Sequence, residues 1–345
     1  SFGRSVAISS NYAIVGAHSE DDAGGNSSGK AYIFNVSTGA LVHTLDNPNA
    51  YDTSATDSFG WSVAISSNYA IVGAYREDDA DGLVSGKAYI YDVTTGALVY
   101  TLDNPNAFGG SFSDRFGYSV AISGNYAIVG AIQEDDAGGT TSGKAYIFNV
   151  TTGALVHTLD NPNAFGTSFN DQFGASVAIS GNYAIVGAML EDYANINPSD
   201  SSGKAYIFDV TTGSLVHTLD NPNAYGTPVF DIFGTSVAIS GNYAIVGARL
   251  ENDAGGLDSG KAYIFNVTTG ALLRTLDNPN AYGTSANDEF GGSVAISGNY
   301  AIVGAYQEDD AGGTSSGKAY IYNVANTTTE VLKDLNVFGD IYTPG

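Results

Sequence analysis

The sequence predicts an all-β chain made of six copies of one four-stranded antiparallel unit. Three observations carry that expectation. One stretch recurs six times, opening at Phe2, Phe59, Phe116, Phe173, Phe233 and Phe290, with offsets of 57, 57, 57, 60 and 57 residues. A fixed long period marks a repeat architecture. Within each copy, short alternating or wholly apolar runs are separated by Gly, Asn, Asp and Pro, the pattern of strands and tight turns. Gly or Asn also interrupts every long window, so no 3.6-residue helical period survives. Four antiparallel strands per repeat, six times over, is the pattern of a six-bladed β-propeller with one blade per repeat. A β-solenoid is the alternative, but its repeats are usually shorter and its strands parallel.

The first copy shows each element. Ser5 to Ser9 alternates small or polar residues with branched apolar ones, a short strand. Ser10-Asn11, Gly-Asn in later copies, is a tight hairpin turn, where Gly and Asn tolerate positive φ. Tyr12 to Ala17 is a second strand, apolar on both faces and so buried on both. A polar loop from His18 to Ser28 leads to a third strand, Gly29 to Val36. Ser37-Thr38-Gly39 is the next turn and Ala40 to Leu45 the fourth strand. Asp46-Asn47-Pro48-Asn49 ends it, since Pro cannot donate to a ladder. In the sixth copy the last turn is two residues longer and Val331 to Leu335 supplies the fourth strand.

The blades fall at about 2–58, 59–115, 116–172, 173–232, 233–289 and 290–335 of a single domain spanning 1–345, with a tail at 336–345. Blade six is expected to pack on blade one and the tail to latch that seam.

Composition narrows function. The formal net charge is −24, from 36 acids and 12 bases, which disfavours nucleic acid and anionic membrane surfaces. No apolar run approaches the roughly 18 residues of a membrane span. Cysteine is absent, so there is neither a disulfide framework nor thiol chemistry. The chain opens at Ser1 without Met or signal peptide and reads as a processed or trimmed product.

FGxSVAIS followed by NYAIVGA resembles the FG-GAP repeat, the unit of the integrin α-chain propeller and of many bacterial and archaeal surface proteins. The likeness covers essentially the whole chain. It implies a propeller at the cell surface or outside the cell, used for adhesion or ligand binding. Two departures stand out. The Pro of GAP is replaced by His18, Tyr75, Ile132, Met189, Arg249 and Tyr306. The family's Asp-rich calcium loop, where present, lies between the first two strands; here that turn is only Ser-Asn or Gly-Asn.

Antiparallel order places the two long loops of each blade on one face. Glu20-Asp21-Asp22, Glu77-Asp78-Asp79, Glu134-Asp135-Asp136 and Glu308-Asp309-Asp310 all belong there, as do Asp57, Asp114, Asp171, Asp231 and Asp288. Two readings stand. The pairs Asp21/Asp22, Asp78/Asp79, Asp135/Asp136 and Asp309/Asp310 could help bind calcium, which takes six to eight oxygens. Otherwise the runs are a solvated acidic rim, the Asp before Phe-Gly capping a turn or pairing with the repeated Lys30, Lys87, Lys144, Lys204, Lys261 and Lys318.

The differences between copies at two positions are informative. After Phe-Gly stand Arg4, Trp61, Tyr118, Ala175, Thr235 and Gly292; after Val-Gly-Ala stand the six residues already named. Hairpin pairing sets the two positions side by side at the long-loop end. Arg4, His18, Trp61, Tyr75, Tyr118, Arg249 and Tyr306 are therefore candidate ligand-binding residues, since Trp, Tyr and Arg anchor ligands and partners. The competing reading is drift where packing is undemanding.

Other motifs carry little. Gly24 to Lys30 and Gly138 to Lys144 fit GxxxxGK, but Ala follows the Lys and no helix follows, so they are not P-loops. His43, His157 and His217 occupy equivalent positions on three blades and do not form one metal site. NVS or NVT at Asn35, Asn149 and Asn266 are glycosylation sequons at turns where Asp92 and Asp209 replace Asn in two copies. No catalytic set breaks the repeat symmetry. The expectation is a non-catalytic recognition or adhesion propeller for a glycan or protein, with calcium as its possible cofactor; the alternative is a structural subunit that binds copies of itself in a filament, sheath or surface layer.

Overall fold

The computed structural model describes residues 1–21, 25–48, 56–78, 84–105, 113–135, 140–162, 170–192, 201–222, 230–252, 256–279, 286–309, 315–325 and 331–336. The tail beyond 336, expected as a latch, lies outside them.

Six four-stranded sheets are present, one per repeat, each in simple sequential strand order, with antiparallel pairing wherever the register is described. These are propeller blades. In the third repeat the strands are Phe116–Ser123, Tyr126–Ala131, Lys144–Asn149 and Leu155–Asp160. The second strand of every blade spans the YAIVGA run, as the sequence indicates. The chain divides into two compact units, residues 1–186 with 208–215 and residues 187–207 with 216–345.

The core lies between adjacent sheets. Ile71, Ala88, Ile90 and Leu102 of the second sheet pack with Phe116, Val120, Val129, Tyr146 and Phe148 of the third. Ile71 and Val72 are neighbours in sequence and both wholly buried, because successive strand residues face opposite sheets. That explains a run apolar on both faces. In the second unit Ile245, Ile264 and Leu276 meet Phe290, Val303 and Tyr320 in the same way.

Each junction is locked by backbone. Phe116 N–H donates to the Ser85 carbonyl at 2.9 Å. The Gly117 carbonyl accepts the Ser62 hydroxyl at 2.7 Å, and Ser119 grips Gly174 at the same distance. A Cβ on Gly73 would lie 2.0 Å from the Gly117 oxygen, and Gly117 itself has a φ of 87°. The glycines of Val-Gly-Ala and Phe-Gly thus exist because one blade's backbone crosses another's. At the outer edge His43 and His157 present Nε2 to the Thr94 and Thr211 carbonyls at 3.2 and 3.1 Å, and the Tyr100 hydroxyl donates to Thr151 O at 2.7 Å. These fourth-strand side chains stitch neighbouring blades.

The turn after the third strand is held by an Asx contact. Asn149 Oδ1 accepts Thr151 and Thr152 N–H at 2.9 and 3.1 Å, and Asp92 Oδ1 accepts Thr94 and Thr95 N–H at 2.9 and 2.8 Å. Asn and Asp are therefore interchangeable here, which accounts for the sequons as turn chemistry.

The first and last sheets differ from the rest. Phe2, Val6 and Ile8 are 64, 63 and 70% exposed, against 0, 5 and 7% for their counterparts Phe59, Val63 and Ile65. In the sixth sheet Ile302 and Ile321 are half-buried where Ile71 and Ile90 are fully buried.

Candidate functional site

The two divergent positions do meet. Trp61, after the Phe-Gly of the second blade, lies 4.6 Å from the ring of Tyr75, after its Val-Gly-Ala. Tyr118 of the third blade joins them, 5.7 Å from Trp61 and edge-on to Tyr75 at 5.5 Å. His18 of the first blade stands edge-on to Trp61 at 5.0 Å. The Arg4 guanidinium stacks over the indole at 3.6 Å from its centroid. Five of the candidate residues therefore form one cluster in the first unit. Tyr75 is buried; Trp61, Tyr118 and His18 are half-buried and Arg4 is exposed. Edge-on and tilted ring pairs at these separations add about 0.5–1.5 kcal/mol each beyond buried area.

Two members escape the sequence reading. Arg76 and Arg115 lie 5.2 and 5.9 Å from the Tyr75 ring. Both occupy positions where the copies also disagree: Ser19, Arg76, Gln133, Leu190, Leu250 and Gln307 in one, and Ser58, Arg115, Gln172, Ile232 and Glu289 in the other. Extending the comparison by one residue on each side would have found them. Arg115 has a φ of 60°, in the left-handed region that costs a non-glycine residue strain. Its N–H donates to Val84 O at 3.3 Å and its carbonyl accepts Tyr118 N–H at 3.1 Å, which fixes that conformation.

Burial holds His18 below the usual histidine range, and the charges of Arg4 and Arg76 push the same way. It is neutral at physiological pH.

Arg249 and Tyr306 form a separate group in the second unit. Both contact Glu289, Arg249 by an ion pair and the Tyr306 hydroxyl by donating at 2.6 Å, and Gln307 Nε2 donates to the other carboxylate oxygen. This group is internally compensated, unlike the first.

The acidic runs split by residue. Asp21, Asp78, Asp135 and Asp309 are exposed, and each accepts a backbone N–H from six residues on, at 2.8, 2.8, 2.8 and 2.7 Å. Asp22, Asp79, Asp136 and Asp310 lie outside the described residues. Among the described residues no three or more metal-ligating side chains gather. The glutamates correct the picture of a solvated rim. Glu77, Glu134 and Glu308 are buried, each accepting the hydroxyl of a third-strand Tyr: Tyr89, Tyr146 and Tyr320. The lysines pair with the Asp ending the fourth strand, as Lys144 does with Asp160 at 2.7 Å, except that Lys318 takes Glu308 at 2.9 Å. Asp57 and Asp114 instead receive the amides of Asn47 and Asn104, at 2.8 and 2.9 Å, tying the Asn-Pro turn to the next Phe-Gly.

The repeat model for the FG-GAP repeat matches residues 1–34, 49–91, 107–148, 164–208, 227–265 and 280–322. The chain belongs to the FG-GAP repeat family. Each of the six matches reaches from the approach to Phe-Gly into the third strand, so this FG-GAP chain carries its divergent residues inside the family unit, on the framework that defines it. No curated protein matches it.

Proposed function

We propose that this FG-GAP protein is a non-catalytic recognition or adhesion propeller, working at the cell surface or outside the cell. Its ligand, a glycan or a protein segment, docks on the cluster of Arg4, His18, Trp61, Tyr75 and Tyr118. The observation that carries the reading is the convergence itself. At the positions after Phe-Gly and Val-Gly-Ala the repeats differ, and five of the divergent side chains in the first unit touch. The five that touch are all aromatic or basic, whereas Ile132 and Ala175, at the same positions in the third and fourth copies, are not. Screening the protein against glycan and protein arrays tests it. Trp61→Ala with Tyr118→Ala is expected to remove binding while the urea midpoint falls only modestly. Undiminished binding by the double variant would sink the proposal.

A second reading, a self-assembling structural subunit, is favoured by one observation: Phe2, Val6 and Ile8 of the first sheet are exposed where their counterparts in the second sheet are buried. The junctions inside each unit show what covers such residues, namely another blade of the same repeat. A head-to-tail contact between copies is heterologous and can propagate. Light scattering is then expected to show species above one chain mass at high concentration, reduced to one chain by Val6→Asp with Ile8→Asp. A monomer at every concentration removes this reading.

A further inference from the structure

The twelve basic residues are unevenly used. Five of the repeated lysines are held by aspartates and Lys318 by Glu308, and Arg249 is held by Glu289. Arg4, Arg76 and Arg115, three of the five arginines of a chain with net charge −24, gather around Trp61 and Tyr75. Among the described residues none of these three guanidiniums has a hydrogen-bond or ion-pair partner. Arg115 Nε and His18 Nδ1 are buried and have no hydrogen-bond partner among the described residues. Buried polar atoms are normally satisfied, and a lost partner costs about 1–3 kcal/mol. Three like charges around one pair of rings add to that cost. The charges that act on His18 are those of cations, Arg4 foremost. Among the described residues this is a positive site with no ion-pair partner, built on aromatic rings in an acidic molecule.

The geometry points to an acidic saccharide as the ligand of this site, an oligosaccharide carrying uronic-acid carboxylates. The inference rests on the recognition reading above and names its ligand class. A carboxylate fits the planar fork of a guanidinium, and Arg76 and Arg115 each have N–H groups to offer. The half-buried rings of Trp61 and Tyr118 supply flat apolar surface for the C–H face of a sugar. A carboxylate alone would need only the cations; the rings are explained by a ligand with an apolar face beside its charge. A long dense polyanion such as nucleic acid is repelled by the rest of the chain.

Trp61 is the only tryptophan, so its fluorescence reports this site alone. Titration with trigalacturonate, with the neutral galactose trisaccharide and with a hexaglutamate peptide, backed by calorimetry, tests the inference. Trigalacturonate should saturate the signal, the neutral sugar should bind at least about tenfold more weakly, and Arg76→Gln or Arg115→Gln should each weaken trigalacturonate about tenfold or more. Arg76 is exposed, so its variant folds. Equal binding of the neutral sugar overturns the requirement for a carboxylate but leaves the recognition reading standing. Binding of the peptide without the saccharide overturns the ligand class and keeps the site. Silence toward all three overturns the inference, and the array experiment then decides the recognition reading separately.

Discussion

Gly73→Ala is expected to destabilise the protein by about 3 kcal/mol or more, whereas Gly304→Ala, the same change at the equivalent position of the last blade, should cost under about 1 kcal/mol. The Cβ added at position 73 would fall 2.0 Å from the Gly117 carbonyl oxygen. That oxygen cannot retreat freely, because it accepts the Ser62 hydroxyl at 2.7 Å and belongs to the third sheet's first strand, next to Phe116, which is wholly buried. Relief requires the junction between sheets to open, which uncovers Ile71 and Ile90. At Gly304 the nearest atoms among the described residues all belong to Ser293, the closest being its hydroxyl at 2.5 Å, the end of a side chain that can rotate. Ala there also stiffens the unfolded chain, offsetting part of the loss. Urea midpoints of the two variants at equal m-value make the comparison. Equal losses would show that the Gly117 carbonyl is not what makes the change at position 73 costly.

That contrast also shows what was legible in the sequence. The period and the YAIVGA and GKAYIFN runs dictate strands, because alternating and doubly apolar patterns have few other solutions. Strand boundaries came within a residue or so for the same reason. Residues after Phe-Gly and Val-Gly-Ala were legible as neighbours because hairpin pairing sets them side by side. Arg76 and Arg115 also stand at positions where the copies differ, but their approach to the Tyr75 ring was not legible, since it depends on how the turns that carry them fold. The buried glutamates were missed for a related reason. Glu77 and Asp78 are adjacent letters in one acidic run, yet one turn of loop sends the first under Tyr89 and leaves the second capping Val84 in water. Charge density in a sequence reports composition, while burial is decided by which neighbour the loop folds over.

Those glutamates predict an unusual pH dependence: the folded state should become more stable on acidification from pH 8 to pH 5. Burial pushes the carboxyls of Glu77 and Glu251 up to about 8 and those of Glu134 and Glu191 up to about 7. Nearby carboxylates, Asp57 for Glu77 and Asp231 for Glu251, add to the rise, while the tyrosine hydroxyls and Lys87 or Lys261 oppose it. The folded protein therefore binds these protons more tightly than the unfolded chain, whose glutamates titrate near 4.5. The stabilisation from each proton is complete below that value and is lost as pH rises through 7 to 8. Near pH 8 the loss is on the order of 1 kcal/mol or more per site. Self-repulsion of a chain carrying −24 acts in the same direction as its acids ionise. Urea midpoints at pH 5, 6.5 and 8 are the measurement, and a midpoint that holds or climbs with pH refutes the assignment. Glu77→Gln with Glu251→Gln separates the two causes. Glutamine keeps the shape and still accepts the Tyr89 and Tyr263 hydroxyls, so the double variant should match the wild type at pH 5 and exceed it at pH 8. If the slope is unchanged by the substitutions, the effect belongs to overall charge and not to the carboxyls beneath the tyrosines.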